Sequence, residues 1–288
     1  TGGFDVAGLN TGANNATLSS TGVVTQSAAI TAAGLELLGA GGNYDLDTVN
    51  NAVTTLAGNT GIIDFLDNTG FTIGTVNTVG LTTTGNMTLT SNGSVGQTQI
   101  LRADTLFLEN GTFDFNDIDN RITTLDADNT TLGGDLTFQD NLGGFIIAGI
   151  DAGTNNVQLE TIATITETGT ITAAGLLLGS TGGYDLDTSN HAITTLATTG
   201  TVGSIDFQDN TGFSIGTVTV TGGSTGNGIT TSGVTTLTST GTVTQTQAIS
   251  VGAAATLTLE NGTFDLNDVN NAISRLFTTS LGGDLTFK

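Results

Sequence analysis

The sequence predicts an all-β chain wound as a parallel β-solenoid, with roughly 17–20 residues per coil. Three observations point there. The stretch YDLDTVNNAVTTL at 44–56 returns as FDFNDIDNRITTL at 113–125, YDLDTSNHAITTL at 184–196 and FDLNDVNNAISRL at 264–276, with its internal spacing unchanged. Apolar and polar residues alternate with a period of two in segments such as Tyr44-Asp45-Leu46-Asp47, which is the pattern of a pleated strand. Asn-containing turns recur at a spacing of about one coil, or about twice that, as at Asn15, Asn51, Asn68 and Asn86.

Taken in order, the opening TGGFDVAGLNTGANN matches LGGFIIAGIDAGTNN at 142–156. ITAAGLELL at 30–38 matches ITAAGLLLG at 171–179 with the same offset, and IDFLDNTGFTIGTV at 63–76 matches IDFQDNTGFSIGTV at 205–218. LENGTFDFND at 108–117 then matches LENGTFDLND at 259–268. The chain therefore reads as one continuous solenoid of two long repeats, about 1–141 and 142–288. The aromatic landmarks at 44, 113, 184 and 264 divide each into two modules of similar length. ITAAGLELLGA contains good helix formers, but its flanking Gly and β-branched residues, and Leu177 where the first copy has Glu36, favour a strand.

A coil of this length cannot bury its own inward side chains and is stable only when stacked on a neighbour about 4.8 Å away. Roughly sixteen such coils would make a rod of about 75 Å. In this reading Tyr44, Leu46, Val53 and Leu56 point inward, and Asp45 and Asp47 outward. Phe65, Phe138, Phe207 and Phe287 mark a second core aromatic position, with Phe71, Phe145 and Phe213 a third. Asn side chains at equivalent corners are expected to pair amide to amide between coils.

Composition restricts function. Of 288 residues 43 are Gly, 36% are hydrophobic and only 10% charged, with no Pro, Cys or Trp. A core can form from that balance, and a charged disordered tail is excluded. No apolar run approaches the roughly 18 residues that cross a bilayer, and any export signal is expected outside the segment. Four Lys and Arg against 26 Asp and Glu leave a formal charge of −22. Such a surface repels polyanions and rules out nucleic acid as a partner. Without Cys there are no disulfides or thiolate metal sites, a usage that fits an extracellular bacterial protein.

The sequence carries no recognisable catalytic, cofactor-binding or metal-binding set. The lone His191 takes the corner position held elsewhere by Asn51, Asn120 and Asn271, and reads as an exposed turn residue. One His, no Cys and no GxSxG context exclude a nucleophile triad. Among β-helix enzymes, pectin-cleaving ones combine clustered Asp with basic side chains that bind acidic sugar. Here Arg102, Arg121 and Arg275 are dispersed along the sequence, which leaves a carbohydrate-active enzyme as the alternative reading. DLDTVNN begins like a calcium loop but places Val49 at its fifth position and lacks the glycine and distal Glu, so only loose screening of carboxylates by Ca²⁺ is expected. Six Asn-x-Ser/Thr sequons, at Asn15, Asn86, Asn92, Asn110, Asn129 and Asn261, are about what this composition gives by chance.

The run GTVTQTQAISVG followed by LTLENGTFDLNDVNNAISRL, with its Gly/Thr/Asn bias and lack of Cys, resembles the shaft repeats of filamentous-haemagglutinin-like exoproteins exported by two-partner secretion. That resemblance implies a right-handed parallel β-helix on a bacterial surface, acting in adhesion or fibre formation. The resulting expectation is a non-enzymatic structural or adhesive segment, extracellular or on the cell surface. Its expected partners are host-cell or surface glycans and further coils of its own kind. GGDLTF recurs at the end of the second repeat and GGF near the start of each, so the pattern closes on itself in repeat phase, and the segment is expected either to be an excerpt of a longer array or to stack end to end into a filament.

Overall fold

The computed structural model describes residues 2–288 except Ile118 and Val269. Those two, with Thr1, are positions of the aligned stretches that lie outside the described residues. Among the described residues every regular element is a β-strand, and no helix is long and apolar enough to cross a membrane. The architecture is a parallel β-solenoid of about 20 residues per coil, within the range read from the sequence, with about 14 turns where that reading gave roughly sixteen. Contacts divide it into two compact units, Thr1–Gly134 and Asp135–Lys288.

In the unit Thr1–Gly134, parallel partners are separated by one coil. Phe4 faces Val24, Ile63 faces Met87, Met87 faces Leu106 and Leu106 faces Leu125. The segment Val23–Asp67 stays extended for 45 residues and turns its corners without leaving the sheet. Gly39 makes one of those corners possible: its φ is +123°, and a Cβ there would lie 1.9 Å from the Ser20 carbonyl oxygen. ITAAGLELL lies within this strand, with Leu35 and Leu37 facing Ala16 and Leu18 of the preceding coil. Asn110 sits at φ 66° ahead of Gly111, the left-handed corner that the ENGT sequence supplies.

In the unit Asp135–Lys288, Leu136, Val157, Leu176, Leu196 and Ile215 face one another in turn, each one coil beyond the last. One step is longer. The chain between the paired residues Ile205 and Thr235 carries an inserted antiparallel hairpin, Thr217–Thr219 with Thr225–Asn227. This insertion lengthens the last interval between aromatic landmarks. Its Val218 and Val220 cover Leu177 and Ala197 on the outer face of the sheet. The counterpart in Thr1–Gly134 is only a short loop closed by the bridge Thr75 to Val79.

The core follows the alternation. Tyr44, Leu46, Val53 and Leu56 are buried, as are their equivalents Tyr184, Leu186, Ile193 and Leu196. Phe65 with Phe71, Phe138 with Phe145, and Phe207 with Phe213 form edge-to-face pairs with centroids 5.1–5.3 Å apart. Phe287, in the last strand, is half-buried. Each buried ring contributes about 1.5–3 kcal/mol by leaving water, and each pair about 0.5–1.5 kcal/mol more. Where the landmark is Tyr rather than Phe, its hydroxyl finds partners in the core: Tyr44 Oη accepts the Ser20 N–H and donates to the Leu38 carbonyl.

Candidate functional site

The residues of most chemical interest are buried polar groups at the corners, where the backbone leaves one sheet and enters the next. A main-chain N–H and two carbonyls face inward there without a strand partner, and burial makes them costly to leave open. Asn51 serves all of them. Its Oδ1 accepts from Ile30 N–H and Gln26 Nε2, both at 2.8 Å. Its Nδ2 lies 2.9–3.2 Å from the oxygens of Leu66, Leu46 and Gln26 and shares its hydrogens among them. The pairing is amide to amide, as expected, but the partner is a Gln of the preceding coil rather than a second corner Asn. Asn120 pairs in the same way with Gln97, and Asn271 with Gln245.

His191 corrects the sequence reading. Instead of an exposed turn residue it is fully buried, because the corner needs an inward acceptor and imidazole Nδ1 supplies one, taking the Ile171 N–H at 2.9 Å. Its ring stacks on Phe207, with centroids 5.3 Å apart and planes inclined by 21°. Glu167 replaces the Gln at this corner, its Oε1 accepting from Thr188 N–H, the Thr188 hydroxyl and Ser189 N–H.

Carboxylates close other corners. Asp67 Oδ1 accepts from the backbone and hydroxyl of Thr69 and from Gly70 N–H, while Oδ2 takes Val53 N–H. Asp209 repeats the same contacts with Thr211, Gly212 and Ile193.

The Glu36 and Leu177 difference between the long repeats is explained by what covers each. Leu177 lies under the valines of the hairpin, whereas Glu36 receives Asn77 Nδ2, Thr78 N–H and the Thr17 hydroxyl at 2.6–2.9 Å. Burial alone would raise the Glu36 carboxyl, but those hydrogen bonds outweigh it and hold it down to about 2. The folded chain keeps Glu36 ionised where the unfolded chain, at its ordinary 4.5, takes a proton. Its contribution is therefore full above 4.5 and lost as pH falls toward 2. Glu36→Gln is expected to cost about 1.5–3 kcal/mol at pH 7. In urea titrations of both chains the difference should close over that acid range.

Outward-facing carboxylates stack into an acidic strip in each unit. Burial, then the charges of Asp47, Asp45 and Glu109, push Asp64 up to about 6. Asp206 is also pushed up to about 6, by burial and then by Asp187, Asp185, Glu260 and Glu167. A carboxyl raised in this way stabilises the fold most below its ordinary 3.8 and loses that contribution as pH rises through about 6. Asp206→Asn should therefore stabilise the chain by about 1 kcal/mol at pH 7.5 and not at pH 3.5, read as Tm at the two values, because water and salt screen an outward group.

The strip places Asp45 and Asp47 on one extended face. Among the described residues no three His, Asp or Glu side chains are grouped to hold a metal. Two of the arginines read as dispersed, Arg102 and Arg121, lie one coil step apart and are neighbours on successive coils. A shallow groove of about 470 Å³ runs along the corners lined by Ser91, Asn92, Ser94, Asn110, Thr112 and Thr131, all uncharged donors and acceptors.

Coils paired in parallel register and closed by recurrent amide and carboxylate corners define the chain as a β-solenoid repeat protein. Comparison with protein-family models, with curated proteins and with solved structures finds no match to this chain.

Proposed function

We propose that the chain is a structural or adhesive segment of a secreted or surface-attached bacterial fibre, which extends and presents an acidic solenoid shaft without catalysing a reaction. The observation that carries this reading is how the buried polar groups are used. Asn51, Asn120, Asp67, Asp209 and Glu36 are each engaged in bonds that tie one segment of the coil to another. Equivalent positions differ in how they are covered. Leu125 is buried while its counterpart Leu276 is 39% exposed, and Phe145 is buried while Phe4 is 41% exposed. Further coils of the same pattern, of a longer array or of a second copy, would cover both, and stacked copies would make a head-to-tail contact that does not close. The neutral groove beside Asn110 is where binding of surface glycans is placed in this reading.

The immobilised chain, presented with a glycan array and with host cells, should retain ligand without altering it. Binding favours an adhesin and its absence a spacer. Release of reducing or unsaturated sugars from acidic polysaccharides would overturn both in favour of an enzyme.

A further inference from the structure

Three of the four equivalent corners are closed by a Gln and an Asn: Gln26 with Asn51, Gln97 with Asn120 and Gln245 with Asn271. In each, Asn Oδ1 also accepts a main-chain N–H, from Ile30, Leu101 or Ile249, at 2.8–2.9 Å. The remaining corner exchanges both residues at once, with Glu167 for Gln and His191 for Asn. Ile171 N–H still donates into it, now to His191 Nδ1. Unlike the amides, the new pair is left incomplete. His191 Nε2 stands 4.0 Å from Glu167 Oε1, with both side chains fully buried. Neither Nε2 nor Glu167 Oε2 has a hydrogen-bond partner.

An imidazole that accepts at Nδ1 carries its hydrogen on Nε2, so a second proton can go only to Nδ1. There it would point at the Ile171 N–H, donor against donor, and the bond must break. An amide oxygen does not titrate, so the other three corners have no such response. We propose that the Glu167–His191 corner is a proton-operated release point in the unit Asp135–Lys288, where mild acid opens the Ile171 bond while the three amide corners stay closed.

The surroundings support this assignment. Glu167 faces His191 from the strand Thr164–Glu167, and Asp209 from Ile205–Asp209. Ile171–Gly179 carries no ionisable side chain, and Asp185 and Asp187 on the strand of His191 itself are exposed. Burial drives His191 down to about 4, outweighing the attraction of Asp209 and of the Leu186 carbonyl, which is close to the ring but not in hydrogen-bond geometry. The opened form, titrating at the ordinary 6.5, thus takes the proton first. The corner is at full strength above 6.5 and weakens as pH falls toward 4.

Asp185 and Asp206, whose carboxyls are raised, respond to acid in the opposite sense, so global melting would mix the two effects. Amide exchange read residue by residue separates them. Protection factors in the whole chain should fall about 20-fold at Ile171 between pH 7 and pH 5. Over the same range Ile30, Leu101 and Ile249, the equivalent amides, should hold within about twofold. The double substitution Glu167→Gln with His191→Asn, which recreates the other corners, should abolish the difference. Equal pH dependence at all four amides in the native chain would overturn the proposal, as would a double variant that keeps the Ile171 response. The native comparison decides even if the variant does not fold.

Discussion

Asn51→Ala is expected to cost the fold about 3–5 kcal/mol in urea unfolding, one of the largest effects of any single polar substitution in the chain. The side chain is 1% exposed, and its removal leaves Ile30 N–H, the Gln26 amide and the carbonyls of Leu46 and Leu66 facing an apolar interior. A buried group left open costs about 1–3 kcal/mol, and entry of a water into the vacated space recovers part of the sum. The neighbouring Asn50 is not buried in this way, so Asn50→Ala should stay within about 0.5 kcal/mol. A result in which the two substitutions cost the same would mean that the amide corner does not hold the coils.

Phe207→Ala should be comparably damaging, at about 3–5 kcal/mol for a fully buried ring. The ring packs edge-on against Phe213 at 5.3 Å and lies face to face with His191. Its loss would leave a cavity between coils and admit water to the imidazole. The His191 titration, followed by ring NMR signals, should then move from about 4 back toward 6.5. Phe277→Ala, at a ring that is 58% exposed, is the matched control and should cost about 0.5 kcal/mol or less.

These contrasts also mark where the sequence was readable. The repeat of Tyr44, Leu46, Val53 and Leu56 shows the inward face directly, because alternation forces that choice once the strands stack. ITAAGLELL is a strand for the same reason, with its two faces buried by different means: Leu35 and Leu37 by the core, Glu36 by the loop at 75–79. The burial of His191 was not legible from its position in a polar turn sequence. The inward need at such a corner is created by backbone groups, those of Ile30, Leu46 and Leu66 around Asn51, which no residue pattern displays. One signal was present. Gln26, Gln97 and Gln245 recur ahead of the corner Asn, and Glu167 breaks that series in the same module in which His191 breaks the Asn series. A coupled exchange of this kind points to contact. The neighbourhood of Arg102 and Arg121 was legible too, since their separation is one coil step, and reading the arginines as dispersed passed over it.

Electron microscopy of the purified chain over a concentration series tests the proposed stacking most directly, since coils that continue from one copy to the next would cover Leu276 and Phe4. Fibrils that lengthen with concentration are the expected result. Particles of one fixed size at every concentration would contradict it.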